Sequence, residues 1–125
     1  MKKIIKISGL IISMFLLIFS GHKAQGQDNK NEILSQTIKV YGNCGMCKKR
    51  IENAAWGKGV KEVSWDQETM MLTVKYVTAK TSIEVIEDRV VKAGHDTDNK
   101  LTDEKTYNNL HQCCKYERNS KAFKK

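Results

Sequence analysis

The sequence predicts a small α+β domain in which two helices cover one face of an antiparallel sheet. Three observations favour this class: two segments with helical periodicity, shorter alternating segments around them, and a four-residue turn between two of those segments. A chain of 125 residues allows one such domain and no more. The predicted order is β-α-β-β-α-β, the split βαβ arrangement of a ferredoxin-like domain.

The first strand and helix occupy the first half of this domain. A strand is predicted over 33–41, where apolar and polar residues alternate. Residues 42–45 break the alternation with two glycines and predict a loop. A helix is predicted from residue 46 or 47 to residue 56, because Cys47 and Ile51 share one face. Two further glycines end it.

A hairpin and a second helix follow. Strands are predicted over 60–65 and 70–77, and the short polar turn between them makes the pair antiparallel. A helix is predicted over 81–93, where Thr81 and Glu84 have the spacing of a capping box. Its apolar residues recur at helical intervals, so it covers the sheet as the first helix does.

The end of the chain gives weaker signals. A short last strand is predicted over 96–101 although the segment is polar, which places the domain at 33–101. Residues 102–125 form a C-terminal extension that carries two adjacent cysteines and a short predicted helix over 103–110. The chain after Cys114 is predicted to be loosely ordered.

The first 26 residues have the layout of a secretory signal peptide. A lysine-rich start precedes an apolar run at 7–21 and a short segment with small residues that ends at Gly26. An uncleaved membrane anchor is the alternative, but the run is shorter than the roughly 20 apolar residues of a spanning helix. We therefore expect cleavage after Gly26, a linker over 27–32, and a protein exported to the periplasm or cell surface.

The charge balance is mild once the leader is removed. The chain has 22 basic and 14 acidic residues, and four of the basic ones precede residue 27. The remaining excess is small and the basic residues form no long block, so no nucleic-acid partner is predicted.

Four cysteines carry the chemical signal: Cys44, Cys47, Cys113 and Cys114. An even number in an exported protein first suggests disulfides. A bond between the neighbours Cys113 and Cys114 would be strained, because disulfide geometry is hard to reach across one peptide. Disulfides that join the two pairs remain an alternative.

Cys44 and Cys47 stand at the predicted start of the first helix. The unpaired N–H groups and partial positive charge of a helix N-terminus stabilise a thiolate, so lowered cysteine pKa values are expected. Lys48, Lys49 and Arg50 add positive charge. Two thiolates at this spacing can face one soft ion, of which Cu(I) is the first candidate and Hg(II) and Zn(II) are alternatives.

The element order and the Cys44-Gly45-Met46-Cys47 loop together resemble the heavy-metal-associated domain of copper chaperones, metal-transporting ATPases and periplasmic mercury-binding proteins. Further matching segments are Ile51-Glu52-Asn53-Ala54, Gly59-Val60, Leu72-Thr73-Val74-Lys75-Tyr76 and Ala93-Gly94-His95. The resemblance implies that Cys44 and Cys47 bind the metal. It also implies a chaperone or scavenger that meets a metal-transporting membrane protein or its metal-binding domain. The sequence departs at Gly42, where the family usually has a methionine that packs under the loop.

Other residues are candidate additional ligands. His95 stands where many family members have an aromatic residue near the loop, and it could bind or tune the ion. Cys113 and Cys114 could fold back as third and fourth thiolates, bind a second ion, or bridge two chains. Met46 is a less favoured thioether alternative. A metal-bridged homodimer is a further possibility.

A thiol-disulfide oxidoreductase is the main rival hypothesis for a C-x-x-C motif. Thioredoxin-like enzymes place a cis-proline opposite the active cysteines, and this chain has no proline. A c-type haem requires His directly after the motif, where Lys48 stands, and a zinc ribbon requires a second C-x-x-C. We therefore predict a metal carrier and not an enzyme.

Overall fold

The computed structural model of the protein describes residues 31–118. The predicted signal peptide at 1–26, most of the predicted linker and the last seven residues of the extension lie outside this range. Across residues 31–118, none of the helices has the length and apolar character needed to cross a bilayer.

Three antiparallel strands form the sheet. They are β1 (Ile33–Lys39), β2 (Val60–Trp65) and β3 (Met71–Val77), in the order β1-β3-β2. The central strand β3 places Leu72 opposite Ile38 of β1. The predicted hairpin of β2 and β3 is confirmed.

Two helices, α1 (Gly45–Ala55) and α2 (Ile83–Lys92), pack on one face of the sheet and against each other. Alternate residues of β3 are buried, so that one face of the strand contributes to the core with the apolar stripes of both helices. The main core residues are Cys47, Ile51, Ala55, Trp65, Leu72, Val74, Tyr76, Ile86 and Val90. The predicted α+β class, with both helices on the same face, is confirmed.

The N-cap of helix α2 lies one residue later than predicted. Ser82 is the N-cap, and its hydroxyl oxygen accepts a hydrogen bond from the Val85 N–H at 3.4 Å. The predicted capping box of Thr81 and Glu84 is therefore wrong. Two adjacent hydroxyl residues offer the same local signal, and the chain uses the second of them.

The predicted last strand is reduced to a single bridge between Val40 and Thr97. The Thr97 hydroxyl accepts a hydrogen bond from the Lys100 N–H at 2.9 Å, and the Thr97 N–H donates to the Lys100 carbonyl at 2.8 Å. These two hydrogen bonds close a turn from Thr97 to Lys100, so only one residue of the segment pairs with the strand region at Val40. The polar side chains of this segment favour the turn over an extended ladder.

The C-terminal extension packs onto the domain. It contains a short helix α3 (Glu104–Asn108) and one turn of 3₁₀ helix (Gln112–Cys114). Leu110, Cys114 and Tyr116 join the same core as the sheet and helices. The prediction of a loose chain after Cys114 is wrong as far as residue 118, because Tyr116 is only 2% exposed.

Candidate metal centre

The N-terminus of α1 places two cysteine sulfurs side by side. Cys44 is the N-cap residue and Cys47 lies in the first helical turn, as the sequence predicts. Their Sγ atoms are 3.6 Å apart. The Cys47 sulfur also accepts a hydrogen bond from the Asn43 N–H at 3.4 Å. The C-x-x-C spacing therefore lets both sulfurs face one ion.

Trp65 fills the space beneath this loop. Its indole ring is fully buried, and its Nε1–H donates to the Val40 carbonyl at 3.0 Å. A Cβ atom on Gly42 would lie 3.0 Å from the indole ring and 3.1 Å from the Cys47 Cβ. Such contacts are tighter than ordinary packing, so a side chain at residue 42 would have to displace the indole ring or the Cys47 side chain. Trp65 supports the loop in place of the methionine that the family usually has there.

The C-terminal extension brings the second cysteine pair to the first. The Cys44 Sγ lies 3.3 Å from the Cys113 Sγ and 3.7 Å from the Cys114 Sγ. The sulfurs of Cys44, Cys47 and Cys114 all lie within 4.8 Å of one another. All four cysteines fall inside the described range and are free thiols. The extension thus brings all four predicted cysteine ligands into one cluster.

A buried ion pair anchors the end of the extension to the end of the domain. Asp96 is fully buried, and Arg118 donates to each of its two carboxylate oxygens at 2.8 Å. Arg118 also donates to the Thr102 carbonyl at 2.7 Å. The Thr102 N–H in turn donates to Asp96 at 2.9 Å. Bidentate guanidinium–carboxylate pairs are among the strongest charged hydrogen bonds in proteins.

Tyr116 and Lys115 connect the extension to the domain near the cysteine loop. The Tyr116 hydroxyl donates to the Gly94 carbonyl and accepts the Asp96 N–H, both at 2.8 Å. The Asn43 side-chain amide, next to Cys44, donates to the Lys115 carbonyl at 2.9 Å. These bonds flank Cys113 and Cys114 and fix their position against the loop.

His95 lies in the core and outside the group of three clustered sulfurs. Its Nδ1 is 2.8 Å from the Tyr41 carbonyl, and its ring stacks on Tyr116 with centroids 5.4 Å apart. Burial lowers the pKa of His95, which favours a neutral ring whose Nδ1–H donates to that carbonyl. Its Nε2 is buried with no hydrogen-bond partner among the described residues. A ligand role for His95 stays a prediction, and its contacts show that it packs against the extension.

Two more soft donors border Cys113. The Met46 Sδ lies 3.4 Å from the Cys113 Sγ, and the His111 Nδ1 lies 3.3 Å from it. From the sequence, Met46 stood only as an alternative ligand and His111 had no predicted role. The available signal was weak: a methionine inside the C-x-x-C loop, and a histidine two residues before the adjacent cysteines.

The surroundings of Cys44 favour its thiolate. Burial opposes its ionisation, but the Cys47 backbone N–H and the thiols of Cys113, Cys47 and Cys114 act on the sulfur and lower its pKa to about 7. Burial instead raises the pKa of Cys114, and the hydrogen bond to Cys44 raises the pKa of Cys113. The predicted lowering is confirmed for Cys44.

Only part of the predicted positive charge is available around the loop. The Lys48 ammonium donates to Glu52 at 2.7 Å and to the Trp65 carbonyl at 2.6 Å, so it ties α1 to the end of β2. Lys49 is exposed, and Arg50 lies beside it at a shallow depression on the helix surface. Lys49 and Arg50 are therefore better placed than Lys48 to meet an acidic partner.

The sulfur spacing fits coordination of one ion. Two sulfurs that each lie about 2.3 Å from an ion can be at most about 4.6 Å apart. Four of the six sulfur–sulfur distances between these cysteines run from 3.3 to 4.0 Å. The sulfurs of Cys44, Cys47 and Cys114, all within 4.8 Å of one another, can therefore reach one such ion after small shifts.

Comparison with known proteins finds a family whose model covers two of the four clustered cysteines. Residues 38–96 match the family model of the heavy-metal-associated domain. The match contains Cys44 and Cys47 and ends before the extension that supplies Cys113 and Cys114. No curated protein matches the chain.

Several solved structures are similar over about half of the chain. A putative copper-ion-binding protein from Bacillus anthracis is 22% identical, with a TM-score of 0.51, over 54% of this chain and 99% of that one. This likeness supports the fold. A CopZ metallochaperone is 26% identical over 51% of this chain and 98% of that one, with a TM-score of 0.49. Oxidized MerP from Ralstonia metallidurans is 25% identical over 52% and 96%, with a TM-score of 0.45.

Proposed function

Since residues 38–96 of this chain belong to the heavy-metal-associated domain family, we propose that the protein binds a soft metal ion through Cys44, Cys47 and Cys114 and passes it on by ligand exchange. The ion is cargo and is not consumed in a reaction. The protein acts as a metal chaperone or scavenger and not as an enzyme.

The observation that carries the proposal is the three-sulfur group. Cys44, Cys47 and Cys114 hold their Sγ atoms within 4.8 Å of one another. Cys47 and Cys114 are fully buried, and Cys44 is half-buried at the surface side of the group. Cys47 and Cys114 also pack in the core, and their sulfurs lie close enough to that of Cys44 for the three to bind one soft ion.

Cu(I) is the ion that this donor set suits best. Soft thiolates select soft ions, and Cu(I) accepts two or three sulfur ligands without needing a fourth. Hg(II) is the closest alternative because it shares this preference. Zn(II) prefers four ligands in a tetrahedron, which would require Cys113 as well.

A third thiolate from the extension changes how the ion is released. A partner with two cysteines must displace Cys114 as well as one sulfur of the loop. We therefore infer slower transfer and tighter retention than for the loop alone. The partner is a metal-transporting membrane protein or its metal-binding domain, steered by Lys49 and Arg50. A homodimer that shares one ion between two loops is the competing arrangement.

Titration of the fully reduced protein tests the proposal. Cu(I), Hg(II) and Zn(II) are each added in competition with a chromophoric chelator, to the native chain and to a Cys44→Ser/Cys47→Ser variant. We expect the tightest binding for Cu(I), loss of more than about a thousandfold in the variant, and a monomeric complex. Equal Cu(I) affinity in both proteins would refute the proposal.

The oxidoreductase alternative has its own assay. A reduced C-x-x-C protein that turns over insulin disulfides at a catalytic rate would act as a thiol enzyme, and we expect no turnover. Export is tested by N-terminal sequencing of the protein from its natural cell. We expect Gln27 as the first residue and recovery outside the cytoplasm.

A further inference from the structure

We propose that a second Cu(I) ion binds on the outer side of the cysteine cluster, held by Cys113, Met46 and His111 and bridged to the inner ion by Cys44. This inference rests on the proposed function, because the bridging sulfur belongs to the inner site. The complex is then a two-copper thiolate cluster within one chain.

The outer donors are gathered around one sulfur. The Cys113 Sγ has the Met46 Sδ at 3.4 Å, the His111 Nδ1 at 3.3 Å and the Cys44 Sγ at 3.3 Å. Each separation is shorter than the roughly 4.6 Å that two ligands of one ion can span, so the Cys113 sulfur can share an ion with each of these donors. Cys113, Met46 and His111 are all exposed, so an ion can reach them from solvent.

Two elements that are distant in sequence, α1 and the 3₁₀ turn of the extension, supply this donor set. Met46 lies in the first turn of α1, His111 is the N-cap of the 3₁₀ turn, and Cys113 lies within that turn. The His111 Nδ1 accepts the Cys113 N–H at 3.4 Å, and this cap holds the ring beside the Cys113 sulfur. Packing does not explain the position of Met46, because an exposed methionine buries little apolar surface. Met46 is 47% exposed. The extension therefore brings together donors that are 67 residues apart in the chain.

Cys44 is the common member of the two donor sets. Its sulfur lies 3.6 Å from Cys47, 3.7 Å from Cys114 and 3.3 Å from Cys113. Cys47 and Cys114 are buried on one side, and Cys113 is exposed on the other. A thiolate sulfur has several lone pairs and can bind two ions at once. Cys44 is therefore the residue whose sulfur would bridge the inner and outer ions.

The outer donors narrow the choice of metal. Thiolate, thioether and imidazole are all ligands of Cu(I), whereas a thioether contributes little to Zn(II) binding. Hg(II) fits the inner sulfurs but gains less from a set that includes imidazole and thioether. The second site thus makes Cu(I) the specific cargo, and each thiol that binds releases its proton to solvent.

Native mass spectrometry of the reduced chain, loaded with excess Cu(I) and freed of weakly bound ion, tests the second site. We expect about two Cu(I) per monomer in the native protein and about one in a Met46→Leu/His111→Asn variant. X-ray absorption should show a short Cu–Cu vector only in the native protein.

A Met71→Leu/Gln112→Ala variant is the matched control. It changes a methionine in β3 and an exposed residue of the same 3₁₀ turn, and it removes none of the outer donors. It should keep about two Cu(I) per monomer. About one ion in the native protein would overturn the second site and leave the proposed function standing. No ion in any variant would overturn both. Two ions in the Met46→Leu/His111→Asn variant, or a second ion found only in dimers, would also overturn it.

Discussion

The two regions that supply cysteines hold them by different means. In the domain, the N-terminus of α1 positions Cys44 and Cys47. The buried Trp65 at the end of β2 packs beneath them. In the extension, Cys113 and Cys114 lie in one turn of 3₁₀ helix. That turn is positioned by side-chain bonds of its neighbours, chiefly the pair of Arg118 with Asp96.

Cys44 and Cys47 therefore belong to the fold of the domain itself, whereas Cys113 and Cys114 reach the cluster only because the extension packs against the domain. The domain cysteines are held on adjacent turns of backbone by the start of α1. The extension sulfurs can leave if a small number of side-chain bonds break and Leu110, Cys114 and Tyr116 leave the core, since residues 102–118 contribute no strand to the sheet. The account therefore expects substitutions in the extension to change metal retention while the domain stays folded.

Loss of the Arg118 guanidinium should have the largest effect. Arg118→Gln leaves the buried Asp96 carboxylate without its charged partner, and breaking such a pair typically costs about 3 kcal/mol or more. We expect the extension to undock and Cys114 to react with iodoacetamide much faster than in the native protein. Mass spectrometry of the labelled cysteines measures this. Arg89→Gln, which removes a half-buried guanidinium that donates to the Trp56 carbonyl at a distance from the extension, should leave the rate unchanged.

Removal of the third sulfur should have the next largest effect. Cys114→Ser keeps the loop pair and the fold of the domain but removes a soft ligand, so we expect Cu(I) affinity to fall by roughly 10- to 100-fold. Transfer to a two-cysteine acceptor should become faster by a similar factor. Stopped-flow transfer and chelator competition measure the two effects. Unchanged affinity together with unchanged transfer would remove the extension from the inner site.

Crowding under the cysteine loop should destabilise the domain by a smaller amount. Gly42→Ala places a methyl group 3.0 Å from the Trp65 indole ring, and such overpacking typically costs about 1 to 3 kcal/mol. Gly45→Ala is the control in the same loop, because nothing lies within 4 Å of its Cβ position. Urea unfolding of the two variants should separate them, and equal stabilities would contradict the support that we assign to Trp65.

The Glu52 carboxylate should have the smallest effect, and that effect should depend on pH. Burial raises the pKa of Glu52, but the Lys48 ammonium and the Trp65 N–H lower it more, so the net shift is downward. A lowered folded-state pKa stabilises the protein above the unfolded-state value and loses this effect as the pH falls through the folded-state value. We expect Glu52→Gln to lower the free energy of unfolding by about 1 kcal/mol at neutral pH.

The difference between this variant and the native protein should shrink as the pH falls through the folded-state pKa of Glu52, because the carboxyl is then protonated in the folded and in the unfolded protein. Glu62→Gln provides the comparison, since it removes an exposed carboxylate that pairs with Lys75 on the sheet. If Glu62→Gln lowered the free energy of unfolding as much as Glu52→Gln, the hydrogen bonds that join α1 to Trp65 at the end of β2 would have no specific role.

The domain was predictable from sequence because its signals are local. The C-x-x-C loop, the helix that starts at it and the hairpin of β2 and β3 each follow from patterns within about ten residues. The docking of the extension was not predictable in this way. Tyr116 and Arg118 bind partners 22 residues earlier in the chain, and such pairings leave no periodic signal. The fourth strand was predicted from the order of elements, whereas the polar Thr97 turn replaced it with a single bridge.

The central claim is that sulfurs from both regions bind the same ion. X-ray absorption at the copper edge of the complex with one Cu(I) per chain tests it most directly, in the native protein and in Cys114→Ser. We expect three sulfur neighbours in the native complex and two in the variant. Two sulfur neighbours in both complexes would contradict the account and leave the ion with the loop cysteines alone.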